Sequence, residues 1–322
     1  MTGTPALRLT VTRIRYEAEG VLSLTLADPA GTPLPEWTPG AHLDLRLPSG
    51  LTRQYSLCGD PANRHEYRVA VLLAEDSRGG SREIHATVRQ GDMLDVAGPR
   101  NHFRLVDAPA YLFIAGGIGI TPLLPMMRQA TAAGTPWSLL YGGRTRPSMA
   151  FLDEIGDLSG GKVSLAPQDE AGLPDIGAQL REAPPEAAVY CCGPEGLLRA
   201  VRSQCAERPD PPTVHFERFA AADPARAAAD QETSAAFEVE LRRSGIRLTV
   251  QPGTTVLDAV REVLPTAPFS CGEGVCGTCE TTVLDGVPDH RDELLTPEEH
   301  ESGTTMLICV SRCRGPRLVL DL

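Results

Sequence analysis

At 322 residues the chain is too long for one ordinary hydrophobic core, and 42% hydrophobic with 22% charged residues excludes global disorder. Its formal net charge of -12 argues against a nucleic-acid binder, which would need a basic face, and leaves the acidity to solubility or to steering a basic protein partner. Met1–Pro5 is short and polar, without the apolar core of a secretion signal. Tyr111–Met127 is apolar, but its three glycines and two prolines read as strand, turn and helix start rather than a membrane span. The expectation is a soluble cytoplasmic protein.

From Ala6 to about Phe103 the chain alternates in short strands, among them Leu7–Val11, Leu22–Leu26 and Leu43–Leu47. Asp28-Pro29, Thr38-Pro39-Gly40 and Pro48-Ser49-Gly50 separate them as turns, which predicts an antiparallel barrel or sandwich. From Ala110 to about Phe219 the pattern becomes strand–helix–strand. Buried-type runs at Tyr111–Ala115, Trp137–Tyr141 and Ala188–Cys192 alternate with helical stretches at Leu123–Ala133 and Pro194–Ala206, predicting a parallel α/β sheet. Directly after the first of these strands come Gly116-Gly117-Ile118-Gly119-Ile120-Thr121-Pro122. With Thr121 as cap and Pro122 at the first helical position, this turn suits a pyrophosphate. Pro125, one turn on, is awkward for that helix.

Residues 220–229, mostly alanine with Pro224, read as a linker. Beyond it, Phe237–Leu241 and Ile246–Val250 predict a hairpin, and Thr255 caps a helix reaching Val263. Nine cysteines in a chain without a secretion signal argue against a disulfide framework and for a thiolate-ligated metal. Cys271, Cys276 and Cys279 have the C-x4-C-x2-C spacing of plant-type 2Fe–2S proteins. Gly272, Gly274 and Gly277 let the loop curl around a small core. Zinc is the alternative for four thiolates, but its second C-x2-C knuckle is missing. Cys309, after the apolar run Met306-Leu307-Ile308, competes for the fourth place with Cys313, which stands between Arg312 and Arg314. The apolar run favours Cys309.

With these motifs in this order, the sequence resembles the phthalate dioxygenase reductase family and is similar to the reductase components of vanillate-type O-demethylases. The resemblance covers essentially the whole chain. It implies a multidomain fold: an antiparallel β-barrel flavin domain over residues 1–106, an α/β parallel-sheet NAD domain over 107–222, a linker over 223–236, and a C-terminal β-grasp ferredoxin domain over 237–322. In Arg53-Gln54-Tyr55-Ser56 it implies a flavin site, with Arg53 on the phosphate, Tyr55 against the ring and Ser56 near its reactive N5. The Gly-rich turn Arg78-Gly79-Gly80-Ser81, opening a helix through Arg89, would hold the same phosphate. Gly116, Gly117, Gly119, Thr121 and Pro122 would cradle the dinucleotide. In Tyr190-Cys191-Cys192-Gly193-Pro194, Cys192 would lie near the nicotinamide beside Gly193 and Pro194, while Cys191 is read as packing. Glu217 and Phe219 match a segment that approaches the flavin. His85 is read as a surface or packing residue.

The family's precedent gives NADH and FMN, with FAD as the alternative. Arg144 and Arg146, standing where an acidic residue often holds the ribose, keep NADPH open. The implied path is hydride from NADH to the flavin, then single electrons to the cluster and out to a terminal oxygenase. A Rieske type is favoured, with a cytochrome P450 as the alternative and a non-turnover redox module as a different class. The seven histidines are read as forming no Rieske pair and no His–x–carboxylate facial triad, which places oxygenation on the partner. The chain is read as a monomer.

Overall fold

The computed structural model describes residues 7–75, 79–208, 210–219 and 235–322. Two compact units divide the chain, one ending at Arg218 and the other starting at Phe219. Arg78 and most of the expected linker lie outside the described residues.

The first unit opens with six antiparallel strands: β1 (Leu7–Ala18), β2 (Val21–Ala27), β3 (His42–Arg46), β4 (Thr52–Ser56), β5 (Tyr67–Leu72) and β6 (Met93–Arg100). Their order is β4-β3-β6-β1-β2-β5. A bridge between Leu57 and Val69, with Cys58 N–H donating to the Arg68 carbonyl at 2.8 Å, joins the two edges and closes the barrel. Leu9, Val11, Leu24, Leu26, Leu43, Leu45, Val69 and Val96 fill it. Helix α1 (Gly80–Thr87) buries Ile84 against this core. It stops two residues short of the expected Arg89 because Val88 turns extended.

The second sheet is wholly parallel, in the order β11-β10-β7-β8-β9, from β7 (Tyr111–Gly116), β8 (Trp137–Gly143), β9 (Gly161–Pro167), β10 (Ala188–Cys192) and β11 (Val214–Glu217). Side-chain alternation along β7 sends Tyr111, Phe113 and Ala115 to one face and Leu112 and Ile114 to the other. The first face takes helix α2 (Ile120–Ala133) and meets the barrel through Val21, Cys58, Ala70 and Phe103. The second face takes α5 (Ile176–Glu182) and α6 (Glu195–Ala206), while α3 (Leu152–Gly156) and α4 (Gln168–Ala171) fill the connections. Arg68 of β5 grips Glu154 of α3 with two bonds of 2.8 Å, and Arg128 of α2 pairs with the same carboxylate. Arg128 also donates to the Cys58 and Gly59 carbonyls, so three charged groups brace barrel and sheet.

The expected start of α2 is corrected. The helix begins at Ile120 after a 3-10 turn over Gly117–Gly119, and Gly119 occupies the cap position. Thr121 therefore caps nothing; its hydroxyl donates to the Ile118 carbonyl at 2.9 Å. Pro122 sits inside the first turn, where the backbone N–H that proline lacks would have no helical acceptor. Pro125 lies within the helix and is buried; it gives up one helical bond while its ring packs in the core.

The second unit is a mixed sheet, β13-β12-β18-β14-β16, curled around one helix in a β-grasp arrangement. Its strands are β12 (Phe237–Leu241), β13 (Ile246–Val250), β14 (Glu280–Asp285), β16 (Thr305–Leu307) and β18 (Arg317–Leu320), with a small pair β15 (Pro288–Asp289) and β17 (Arg312–Cys313) beside it. β12 runs parallel to β18 and antiparallel to β13. Helix α7 (Val256–Val263) buries Val256, Leu257, Ala259 and Val260 on this sheet, capped by the Thr255 hydroxyl accepting from Asp258 N–H at 2.9 Å. A short helix α8 (Pro297–Ser302) follows, with a capping box between Thr296 and Glu299. Arg312 is 1% exposed, spends its donors on the Thr254, Gln251 and Ala235 carbonyls, and lies 5.1 Å over the Phe237 ring.

Candidate functional site

In the barrel, β4 alternation puts Arg53 and Tyr55 on one side and Gln54 and Ser56 on the other. Their partners on β3 are Leu45, Leu43, Asp44 and His42. The turn before α1 comes flush against Arg53: a Cβ added to Gly80 would stand 2.4 Å from the Arg53 Cγ. Gly79 adopts φ 95°, and Ser81 Oγ accepts from Ala74 N–H at 3.3 Å. One guanidinium donor of Arg53 reaches the Thr52 carbonyl at 2.8 Å. The start of α1 is held to the β3–β4 turn by Glu83, which accepts from Ser49 N–H at 2.9 Å and pairs with the Ser49 hydroxyl. A cation, a helix N-terminus and an aromatic side chain thus share one edge. That donor set fits the phosphate and ring of a flavin mononucleotide moiety. Burial pushes the Tyr55 hydroxyl well above its ordinary range, so it stays neutral. Ser56 is buried. His85 is a packing residue, with Nε2 2.9 Å from the Val71 carbonyl.

The second sheet reverses its strand order between β7 and β10, the position where open α/β sheets receive nucleotides. Their carboxyl ends are Gly116 and Cys192, and the two loops beyond them touch. A Cβ on Gly116 would meet the Pro194 ring at 2.6 Å, one on Gly119 the Cys192 carbonyl oxygen at 2.2 Å, and one on Gly193 the Gly116 Cα at 2.9 Å. These three glycines are therefore required by loop-on-loop contact as well as by any ligand. Gly117 differs, with φ 53° and open space around it.

Cys192 is fully buried, and burial first, then the Glu217 carboxylate opposite it, hold its thiol far above the ordinary range. Cys191 faces the other side and packs with Leu198, Val201 and Cys205. Glu217 is half-buried, but its Oε2 is enclosed and accepts no hydrogen bond among the described residues. Burial pushes that carboxyl up to about 8. Phe219 begins the second unit and is exposed. Arg144 and Arg146 lie on the surface, the first 2.5 Å from Glu75 and the second 3.2 Å from Glu170.

In the second unit the loop between α7 and β14 brings Cys271, Cys276 and Cys279 together, and the turn after β16 adds Cys309. The Cys271 side chain contacts those of Cys276 and Cys309, and Cys309 also contacts Cys279, so the four sulfurs lie within reach of one another. Backbone N–H groups of Glu273 and Thr278 donate to the Cys271 and Cys276 sulfurs at 3.2 and 3.4 Å. Gly274 has φ 72°, and its Cα hydrogen faces Val310 and Asp292 so closely that a Cβ would stand 2.6 Å from the Val310 side chain. Leu257 N–H of α7 donates to the Ile308 carbonyl at 2.9 Å and fixes the turn that carries Cys309. Cys313 lies elsewhere: its thiol donates to the Arg317 carbonyl at 3.3 Å and accepts from Gly315 N–H. Four converging thiols with amide donors aimed at two of them suit a 2Fe–2S core.

One expectation about the histidines fails. His290-Arg291-Asp292 does have His–x–carboxylate spacing, and α8 brings His300 to the same carboxylate. The group joins a loop residue to a helix residue eight positions later, so only half of it was legible along the chain.

A nucleotide crevice and a thiolate cradle on one chain define an oxidoreductase that handles electrons at an iron–sulfur centre. The model for the oxidoreductase NAD-binding domain matches residues 113–203, and that for the 2Fe-2S iron-sulfur cluster binding domain matches 239–314. The chain is 46% identical over 318 residues to the phenoxybenzoate dioxygenase subunit beta of Ectopseudomonas oleovorans, covering 98% of this chain and 97% of that one. The crystal structure of phthalate dioxygenase reductase is similar at 37% identity and a TM-score of 0.70, covering 98% of both chains. An intact type IV self-sufficient cytochrome P450 monooxygenase is similar at 42% identity and a TM-score of 0.88; all of this chain aligns, but it spans only 42% of that one. The chain belongs to the phthalate dioxygenase reductase family. Among the described residues, no helix is long and apolar enough to cross a membrane.

Proposed function

We propose that this protein is the NADH-dependent reductase component of a two-component Rieske oxygenase or O-demethylase system, passing electrons through FMN to its 2Fe–2S cluster and on to the oxygenase. The observation that carries this reading is the presence on one chain of an arginine against a helix N-terminus, a crevice at the switch point of a parallel sheet and four converging thiols. When bound, the flavin would supply the conversion between a two-electron hydride donor and a one-electron metal centre. Arg53, Gln54, Gly79, Gly80 and Ser81 would bind it, the guanidinium and the α1 amides taking the phosphate. Tyr55 would wall its ring, and Ser56 would offer a hydroxyl to it. Gly117, Thr121 and Pro122 would line the pyrophosphate path, with Gly116, Gly119, Gly193 and Pro194 setting its width. Cys192 and Glu217 would border the nicotinamide as neutral groups, because burial keeps both protonated. Phe219 is assigned to the flavin by the family resemblance alone.

NADH over NADPH is supported by Arg144 and Arg146, each of which already faces a carboxylate. FMN over FAD rests on the family's domain order alone. Cys271, Cys276, Cys279 and Cys309 would hold the cluster. The whole-length likeness to part of a P450 supports a second reading, in which the acceptor is a P450 haem domain. The test is anaerobic mixing of the pure protein with NADH, followed by a Rieske oxygenase or a P450. Flavin bleaching and Rieske reduction are expected, with a larger kcat/KM for NADH than for NADPH. An unbleached flavin would contradict the enzyme reading, and reduction of the P450 alone would replace the partner.

A further inference from the structure

Beside the cysteine loop, but separate from its thiols, three potential ligands converge. His290 follows β15, Asp292 begins the turn after it, and His300 lies on α8. His290 Nδ1 is 3.6 Å from Asp292 Oδ1, and His300 Nε2 is 3.2 Å from Asp292 Oδ2. All three donor atoms fall within 4.8 Å of one another. Ligand atoms about 2.0–2.1 Å from a tetrahedral metal stand roughly 3.3 Å apart, close to the two His–Asp distances, and the 4.8 Å limit leaves only a small contraction for the third. The His290 side chain is 6% exposed, yet neither of its ring nitrogens has a hydrogen-bond partner among the described residues. A buried imidazole whose nearest polar group is a carboxylate 3.6 Å away, beyond hydrogen-bond reach, is costly to retain, and a metal would satisfy it.

The Asp292 side chain is fully enclosed and its orientation is fixed. Oδ2 accepts from the Leu294 and Leu295 N–H groups, and Oδ1 from the Ser311 hydroxyl at 3.3 Å. These bonds use three of the carboxylate's roughly four lone-pair sites and leave one on Oδ1, the oxygen nearer His290, while Oδ2 faces His300. The rings of His290 and His300 stack at 4.4 Å and 15°, so one must turn for both lone pairs to converge. His300 is one-third exposed on a helix of six residues and is the ring with room to do so. The nearby cations Arg291 and Arg314 both face Asp289, whose single charge offsets one of their two.

We propose that His290, Asp292 and His300 form a binding site for a single divalent transition-metal ion. Two imidazoles and one carboxylate suit a borderline ion of the zinc or ferrous class and leave at least one position open. An ion there would tie α8 to the Asp292 turn, whose next residue, Glu293, donates its N–H to the Gly274 carbonyl of the cysteine loop at 3.1 Å. The bound ion would thus brace the wall of the cluster cradle.

The probe is Zn2+, offered by equilibrium dialysis to the full-length holoprotein, with iron and acid-labile sulfide counted before and after. One zinc per chain is expected, with iron and sulfide unchanged and a zinc-edge spectrum of two imidazoles, oxygen and no sulfur. His300→Gln, on the more exposed ring, should weaken binding at least about tenfold, and His290→Gln likewise. No stoichiometric zinc, sulfur ligation with loss of iron, or wild-type affinity in both variants would each overturn the proposal.

Discussion

Glu217 carries an unusual proton. Its enclosed oxygen accepts no hydrogen bond among the described residues, and burial lifts its carboxyl from the ordinary 4.5 to about 8. Between those values the folded chain holds a proton that the unfolded chain has released, so stability falls as pH rises through this window. Glu217→Gln should remove that slope. Urea unfolding of the Met1–Arg218 unit should show wild type losing more stability than the variant between pH 5 and 8, by about 1–3 kcal/mol. Equal losses would mean that the carboxyl ionises as freely in the fold as out of it. A second contrast separates glycines that look alike in sequence. Gly119→Ala forces a Cβ onto the Cys192 carbonyl and should cost about 3 kcal/mol. Gly117→Ala meets open space and bears only its positive φ, about 1 kcal/mol. Thermal melts that rank the two the other way would contradict the loop-on-loop account.

At the scale of elements, the joint between barrel and nucleotide sheet depends on Glu154 of α3. Burial raises its carboxyl, but Arg68 and Arg128 more than offset that and hold it below the ordinary range. Glu154→Gln leaves two guanidinium groups facing each other in a partly buried seam and should destabilise the first unit by about 2–3 kcal/mol, discounted for exposure. Chemical denaturation with iron content as a control would check this; an unchanged midpoint would make the seam ornamental. None of it was legible in the sequence, because Arg68 and Glu154 lie 86 residues apart and neither belongs to a motif. The hairpin of β12 and β13, the strand β10 and the cap at Thr255 were legible, since alternation and capping chemistry are local. The start of α2 was misplaced because Thr121-Pro122 imitates a cap, whereas three residues of 3-10 turn begin the helix earlier. His290, Asp292 and His300 do not stand out along the chain for a similar reason: the third member arrives only through α8.

Across the whole molecule, the order of the motifs says more than any one of them. A cysteine loop alone implies a one-electron centre. Behind a nucleotide crevice and an Arg–helix cradle, it becomes the point where electrons leave. The two compact units allow that idea to be tested by damaging one and sparing the other. The decisive measurement is anaerobic stopped-flow on wild type and Cys276→Ser, monitoring flavin bleaching by NADH and then reduction of the terminal acceptor. The account predicts bleaching at the wild-type rate and loss of acceptor reduction in the variant. Acceptor reduction at the wild-type rate would take the cluster out of the path.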